Sequence, residues 1–157
     1  MVFMEKFYEI ILLTHLFATF VLVGSMTHNL LCVIDYMRGR FGGQKRELLY
    51  VKVSFWAYVI VYVLGILIYP AFRVYIRGAY FDTPIPWATG LFEVKEHWAA
   101  IGLALFVVYY WMRKNFRPDM EKEKLFLYVP ICFLLNVILW YIIIVSCYLV
   151  ILKGTWQ

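Results

Sequence analysis

The sequence predicts an all-α integral membrane protein, a four-helix bundle with both termini on the outer side of the bilayer. Three observations lead there. Four long apolar runs cover approximately residues 7–34, 49–72, 92–112 and 125–152, each near or above the ~20 residues a helix needs to cross ~30 Å of hydrocarbon. Hydrophobic residues make up 64% of the chain and aromatics 20%, far from the mixture of a water-soluble domain. Finally, Lys and Arg are unevenly distributed between the connections. The 157 residues leave little outside the runs, so residues 1–157 read as one transmembrane domain.

The first run is too long for the apolar core of a secretory signal, carries His15 and His28, and is followed by Asp35 and not by a small-residue cleavage site. It is expected to be a retained helix. After it comes Arg38-Gly-Arg-Phe-Gly-Gly43, whose glycines suit a tight solvated turn, with Gln44 to Glu47 leading into the second helix. That helix meets Pro70, where the missing amide hydrogen and the ring clash should end or kink it. The following stretch, from Ala71 to Tyr80, reads as an interfacial segment. Arg73 and Arg77 share a face at a spacing of four, and Tyr75, Tyr80 and Trp87 are aromatics of the kind that settle at head-group depth.

The third run begins near Phe92, which puts Glu93, Lys95, Glu96 and His97 in its first turns. Acidic residues are favoured at a helix start by the macrodipole, and Lys95 is the less comfortable residue there. The fourth run has no charged group between Leu125 and Leu152 but carries Pro130, Asn136 and Ser146. Asn136 serves either as hydrogen-bonding glue between helices or as a ligand-facing group.

Orientation follows from the positive-inside rule. Arg38, Arg40, Lys45 and Arg46 follow the first run, and Arg113, Lys114, Arg117, Lys122 and Lys124 follow the third. These nine compare with five, Lys6, Arg73, Arg77, Lys95 and Lys153, at the other end. The first and third connections are therefore expected in the cytoplasm of a bacterial inner membrane, and the net charge of +5 reflects loops lying against anionic head groups. Nucleic acid is not an expected partner, because the basic residues are split between two short loops and mixed with acids. Cys32, Cys132 and Cys147 form no C-x-x-C pair and read as small buried hydrophobes.

Histidines inside a membrane are costly and count as site candidates. His15 lies about 12 Å from the outer end of its helix at 1.5 Å per residue, and His97 enters the third helix from the same side. Two imidazoles on different helices at similar depth are a geometry for a haem iron, so His15 and His97 are the expected axial metal ligands of a haem b. Ala100, Ala104 and Gly102 would let the third helix approach a planar macrocycle, while Arg73 and Arg77 would pair either with its propionates or with lipid phosphates. His28 lies roughly 140° around the helix from His15, so the two cannot share one iron.

The stretch Phe-Tyr-Glu-Ile-Ile-Leu-Leu-Thr-His-Leu at 7–16, together with Gly-Leu-Phe-Glu-Val-Lys at 90–95, resembles the HemJ-type protoporphyrinogen oxidase and related CopD-like families over perhaps the first three helices. The resemblance implies a haem-binding bundle with His15 as a ligand and Lys95 as a functional cation. His97 and the outer loop from Arg73 to Trp87 fall outside that pattern. The expected function is a b-type haem subunit moving electrons between a membrane quinone and an outer-face partner, with other membrane or periplasmic subunits beside it. Lys95, Glu96 and Tyr80 are candidates for the quinone site. Two alternatives stand: a non-catalytic subunit of a larger membrane complex, and a membrane oxidase of porphyrin metabolism.

Overall fold

A computed structural model describes residues 5–154. Four helices run antiparallel in sequence order: α1 (Tyr8–Met37), α2 (Gln44–Phe72), α3 (Pro86–Asn115) and α4 (Leu125–Gly154). Single-turn 3₁₀ segments precede α1 (Glu5–Phe7) and α4 (Lys122–Lys124), and a wide π-type coil, Arg73–Phe81, continues α2. No strand occurs among the described residues. The near end of the bundle holds the α1–α2 and α3–α4 connections, and the far end holds both termini and the α2–α3 connection.

Three of the helical stretches, Glu5–Met37, Gln44–Phe81 and Lys122–Gly154, are long and apolar enough to cross a membrane. α3 matches them in length but carries Glu93, Lys95 and Glu96 in its first half and Arg113 and Lys114 in its last turn. Exposed side chains show what surrounds the bundle: Phe17, Phe20, Val137 and Ile144 are each 63–69% exposed. Water-soluble proteins rarely present continuous apolar faces of this kind. The inward faces follow helical spacing. In α1 they are Ala18, Leu22, Ser25, Met26, Asn29, Val33 and Tyr36, a single stripe of threes and fours that packs on α2.

Local chemistry explains the boundaries. α1 stops where Gly39 takes φ +74°, a left-handed conformation that glycine adopts without a Cβ penalty. There the Gly39 N–H donates to Tyr36 O at 2.9 Å and the Arg40 N–H to Asp35 O at 2.9 Å. α2 begins at Gln44, five residues before the apolar run, because hydropathy marks only the apolar part of a helix that continues through Gln44–Glu47. At the other end Pro70 does not stop α2. The helix passes through Pro70 and loosens into the π coil three residues later, where the Asp82 N–H reaches back five residues to Arg77 O at 2.9 Å. α3 starts at Pro86, six residues before Phe92, with the proline at its first position, where a missing N–H is harmless.

The core forms two clusters. The larger runs along the near half through Leu22, Met26, Val51, Phe106, Tyr109, Tyr128 and Leu135. The smaller, at the far end, gathers Phe81, Ile85, Ala88, Phe92, Val145 and Leu149. Between them Gly102 of α3 lets its neighbours close in. A Cβ there would collide with the Tyr58 hydroxyl and meet Ile138 Cγ2 at 3.1 Å, and Tyr58 uses the space to donate to Ala99 O at 3.1 Å. The small residue thus admits a tyrosine from α2, where a flat cofactor was expected.

Candidate functional site

At the far end a cavity of about 210 Å³ draws walls from all four helices and the π coil. Its apolar lining comes from Ile68, Tyr69, Phe72, Phe81 and Phe92, and its polar groups are His15, Lys95, Glu96, Ser146 and Lys153. His15 stands half-buried beside Gly65 of α2, where an added Cβ would meet its Cε1 at 3.7 Å. Its buried Nδ1 has no hydrogen-bond partner among the described residues, a state that leaves a desolvated polar nitrogen uncompensated.

Lys95 is 14% exposed, pairs with Glu96 at 3.1 Å and lies 4.3 Å from the Phe92 ring centroid. Lys153 stands 5.3 Å from the Tyr80 ring centroid, with no carboxylate within salt-bridge distance among the described residues. The cavity therefore has an aromatic interior and a rim with a net positive charge. Its volume is below the ~300–1,000 Å³ of typical small-molecule clefts, but Leu12 of α1 and Val150 of α4, both exposed, border an opening. Larger ligands would extend through it.

Of the residues expected at a cofactor site, the structure brings His15 and Lys95 together. His97 stands apart. Its ring is exposed, bonds through Nδ1 to Glu93 O of its own helix at 2.7 Å, and does not line the cavity. Ala100 and Ala104, one and two turns on, are exposed as well, so this stripe is an outward face of α3. Arg73 is exposed. Arg77 is engaged in stapling the outer connection: it meets Asp82 at 3.0 Å, Glu93 at 2.8 Å and the Tyr69 hydroxyl at 3.2 Å. The Thr89 hydroxyl adds a bond to Asp82 at 2.7 Å, and these two donors, Thr89 first and Arg77 second, hold the Asp82 carboxyl below its ordinary value. His28 is exposed, bonded to Gly24 O and tilted against the Tyr50 ring with centroids 5.4 Å apart.

The near end holds a second polar constellation, which reading the charges as loop residues missed. Glu47 is fully buried and accepts bonds from Arg113 Nε, the Tyr128 hydroxyl and, at 3.3 Å, the Tyr36 hydroxyl. Arg113 also donates to Phe116 O and Gln44 O, both at 3.1 Å. Every helix contributes: Tyr36 from α1, Glu47 from α2, Arg113 from α3 and Tyr128 from α4. Arg113, counted above among the cytoplasmic loop cations, is in fact an internal residue of α3.

Tyr128 stacks on Tyr109 at 4.5 Å between centroids, and Tyr109 accepts from Asn29 Nδ2 at 2.8 Å. Asn29 is the residue that bonds across the bundle. Asn136, expected as glue, donates to Cys132 O of its own helix at 2.9 Å, and the Oδ1 atoms of both asparagines are buried without partners. Among the described residues no three His, Cys, Asp or Glu side chains gather as a metal site would.

A haem can be tested against these residues. An imidazole with an unpartnered nitrogen, aromatic walls and two ammonium groups able to meet carboxylates fit its chemistry, while the volume of about 210 Å³ holds only part of a macrocycle, which would extend through the opening. The second axial imidazole does not, because His97 lies outside the cavity. Comparison of the chain with protein-family models, with curated proteins and with solved structures returns no match.

Proposed function

We propose that this chain is a four-helix protein of a bacterial inner membrane, termini outward, that binds haem b or a related tetrapyrrole in the far-end cavity. His15 is the metal ligand, and Lys95 and Lys153 meet the carboxylates. The observation that carries this reading is His15, whose buried Nδ1 has no hydrogen-bond partner among the described residues, in the lining of an aromatic-walled cavity with a cationic rim. The resemblance to the HemJ-type and CopD-like families, which rests on the same His15 and Lys95, points in the same direction.

When bound, the tetrapyrrole supplies the redox or ligand chemistry. The protein's part is orientation and exclusion of water. Phe72, Phe81 and Phe92 offer flat apolar contacts, and Glu96 positions the Lys95 ammonium. Transfer of electrons from quinone through a haem held by two imidazoles has less support, because only His15 is in place. A tetrapyrrole held by one imidazole leaves a coordination position for a small ligand or substrate, as in proteins with a single proximal His.

The test is spectroscopic. Purified protein titrated with haem in detergent is expected to take up one equivalent and show a Soret band. His15→Ala should abolish that band, and His97→Ala should keep it. A wild-type protein that stays colourless through the titration overturns the proposal. Equal loss in both variants would restore the two-imidazole arrangement.

A further inference from the structure

Between α2 and α3 at the near end runs a groove of about 420 Å³. Lys45, Leu48 and Lys52 line it from α2, spaced three and seven so that they share one face; Tyr110 and Lys114 line the opposite side from α3, four apart, and Arg117 joins from the segment just past that helix. Lys45, Lys52, Lys114 and Arg117 are exposed, and none has a carboxylate within salt-bridge distance among the described residues. Of the carboxylates at this end, Asp119 keeps a buried Oδ1 without a partner among the described residues but does not line the groove, and two others are committed. Glu47 is held by Arg113 and two tyrosines, and Glu121 by Lys124 and the Arg117 backbone N–H. Four cations thus converge on one concave surface with no acidic residue in its lining.

Depth identifies the counter-charge. Lys45 and Lys52 are two turns apart, about 10.5 Å along the helix axis, so the groove runs from the end of α2 to the start of its apolar span. Trp111, 57% exposed with Lys114 Nζ 5.3 Å from its ring centroid, is the kind of aromatic that marks the interface. Basic pockets between membrane helices at this level receive acidic head groups, and the Arg117 guanidinium matches phosphate oxygens in a bidentate fork.

We propose that this groove binds the head group of an anionic phospholipid. Lys45, Lys114 and Arg117 hold the phosphate, Lys52 reaches deeper oxygens, and Leu48 and Tyr110 line the start of the acyl region. The proposal rests on the three long apolar helices lying in a bilayer, and is independent of what the far-end cavity holds.

The full chain in detergent is examined by native mass spectrometry and thermal melting with phosphatidylglycerol, cardiolipin, phosphatidylcholine or inorganic phosphate. Phosphatidylglycerol or cardiolipin should be retained and raise the melting temperature, whereas phosphatidylcholine should do neither. Each of Lys45→Gln, Lys52→Gln and Lys114→Gln should weaken retention about fivefold, from roughly 1 kcal/mol per cation at an anionic surface. Lys→Arg at the same positions should preserve it. Arg38→Gln with Arg40→Gln removes charge from the same end outside the groove and should change little. Retention of phosphatidylcholine as strong as that of the acidic lipids overturns the proposal. So does an equal loss in the Arg38/Arg40 variant, or inorganic phosphate matching the lipids in stabilisation.

Discussion

Replacing Arg113 with Met isolates the energetics of the near-end cluster. The change keeps an unbranched apolar side chain of similar length but strips fully buried Glu47 of its cationic partner, and it leaves the Phe116 and Gln44 carbonyls without their guanidinium donors. Breaking a buried ion pair from one side costs about 3–5 kcal/mol, because the surviving charge stays desolvated. At about 2–4 °C per kcal/mol for a chain of this size, that is a drop of roughly 6–20 °C in melting temperature. Adding Glu47→Gln removes the stranded charge, while its amide oxygen can accept from one of the two tyrosine hydroxyls and its NH2 can donate to the other. The double variant should therefore recover to within about 2 kcal/mol of wild type, with a coupling energy of at least ~2 kcal/mol in the cycle. Equilibrium unfolding of the four proteins in mixed micelles measures all the terms. Because the pair is buried, the result should hardly change with salt. An Arg113→Met variant within about 1 kcal/mol of wild type, or strictly additive effects, would refute the reasoning.

Further outcomes follow from other contacts. Gly102→Ala should lower stability by about 1–3 kcal/mol, since the new methyl overpacks against Tyr58 and Ile138; a Tyr58→Phe background, which removes the colliding hydroxyl, should recover part of the loss in the same unfolding assay. Asn136→Leu discards a buried amide whose oxygen is unpartnered, so it should be within about 1 kcal/mol of neutral, whereas Asn29→Leu removes the amide donor to the Tyr109 hydroxyl, which keeps Cys132 and Tyr128 as partners, and should cost about 0.5–1.5 kcal/mol. Asp82 has a depressed folded-state value, so its staple on the outer connection should persist above the ordinary carboxyl value of ~3.9 and loosen only as pH falls below it. Limited proteolysis between Arg73 and Trp87 across that range would show it, with Asp82→Asn cleaved readily at every pH.

The helices were legible because the apolar runs are far longer than a strand uses, and such runs survive any rearrangement of contacts. The sequence was less informative about helix ends: Gln44 and Pro86 start their helices in polar company, and Pro70 is bypassed by a wider coil. His15 and Lys95 could be picked out as uncomfortable residues in apolar surroundings, and they share a cavity. His97 looked equivalent by depth, yet rotation about the α3 axis turns it outward with Glu93 and Glu96, all three exposed, and depth alone carries no information on rotation. Glu47 and Arg113 were missed because each sits beside a connection rich in charge. Only their partners on separate helices, 66 residues apart in sequence, reveal them as internal.

The near-end cluster ties one residue from every helix to a single carboxylate, while the far end encloses a void and a loosened coil. The far-end core of Phe81, Ile85, Ala88, Phe92, Val145 and Leu149 draws on the π coil, the turn after it, α3 and α4 but takes no residue from α1. The α1 wall of the void, Leu12 and His15, is therefore the side that can yield without breaking that core.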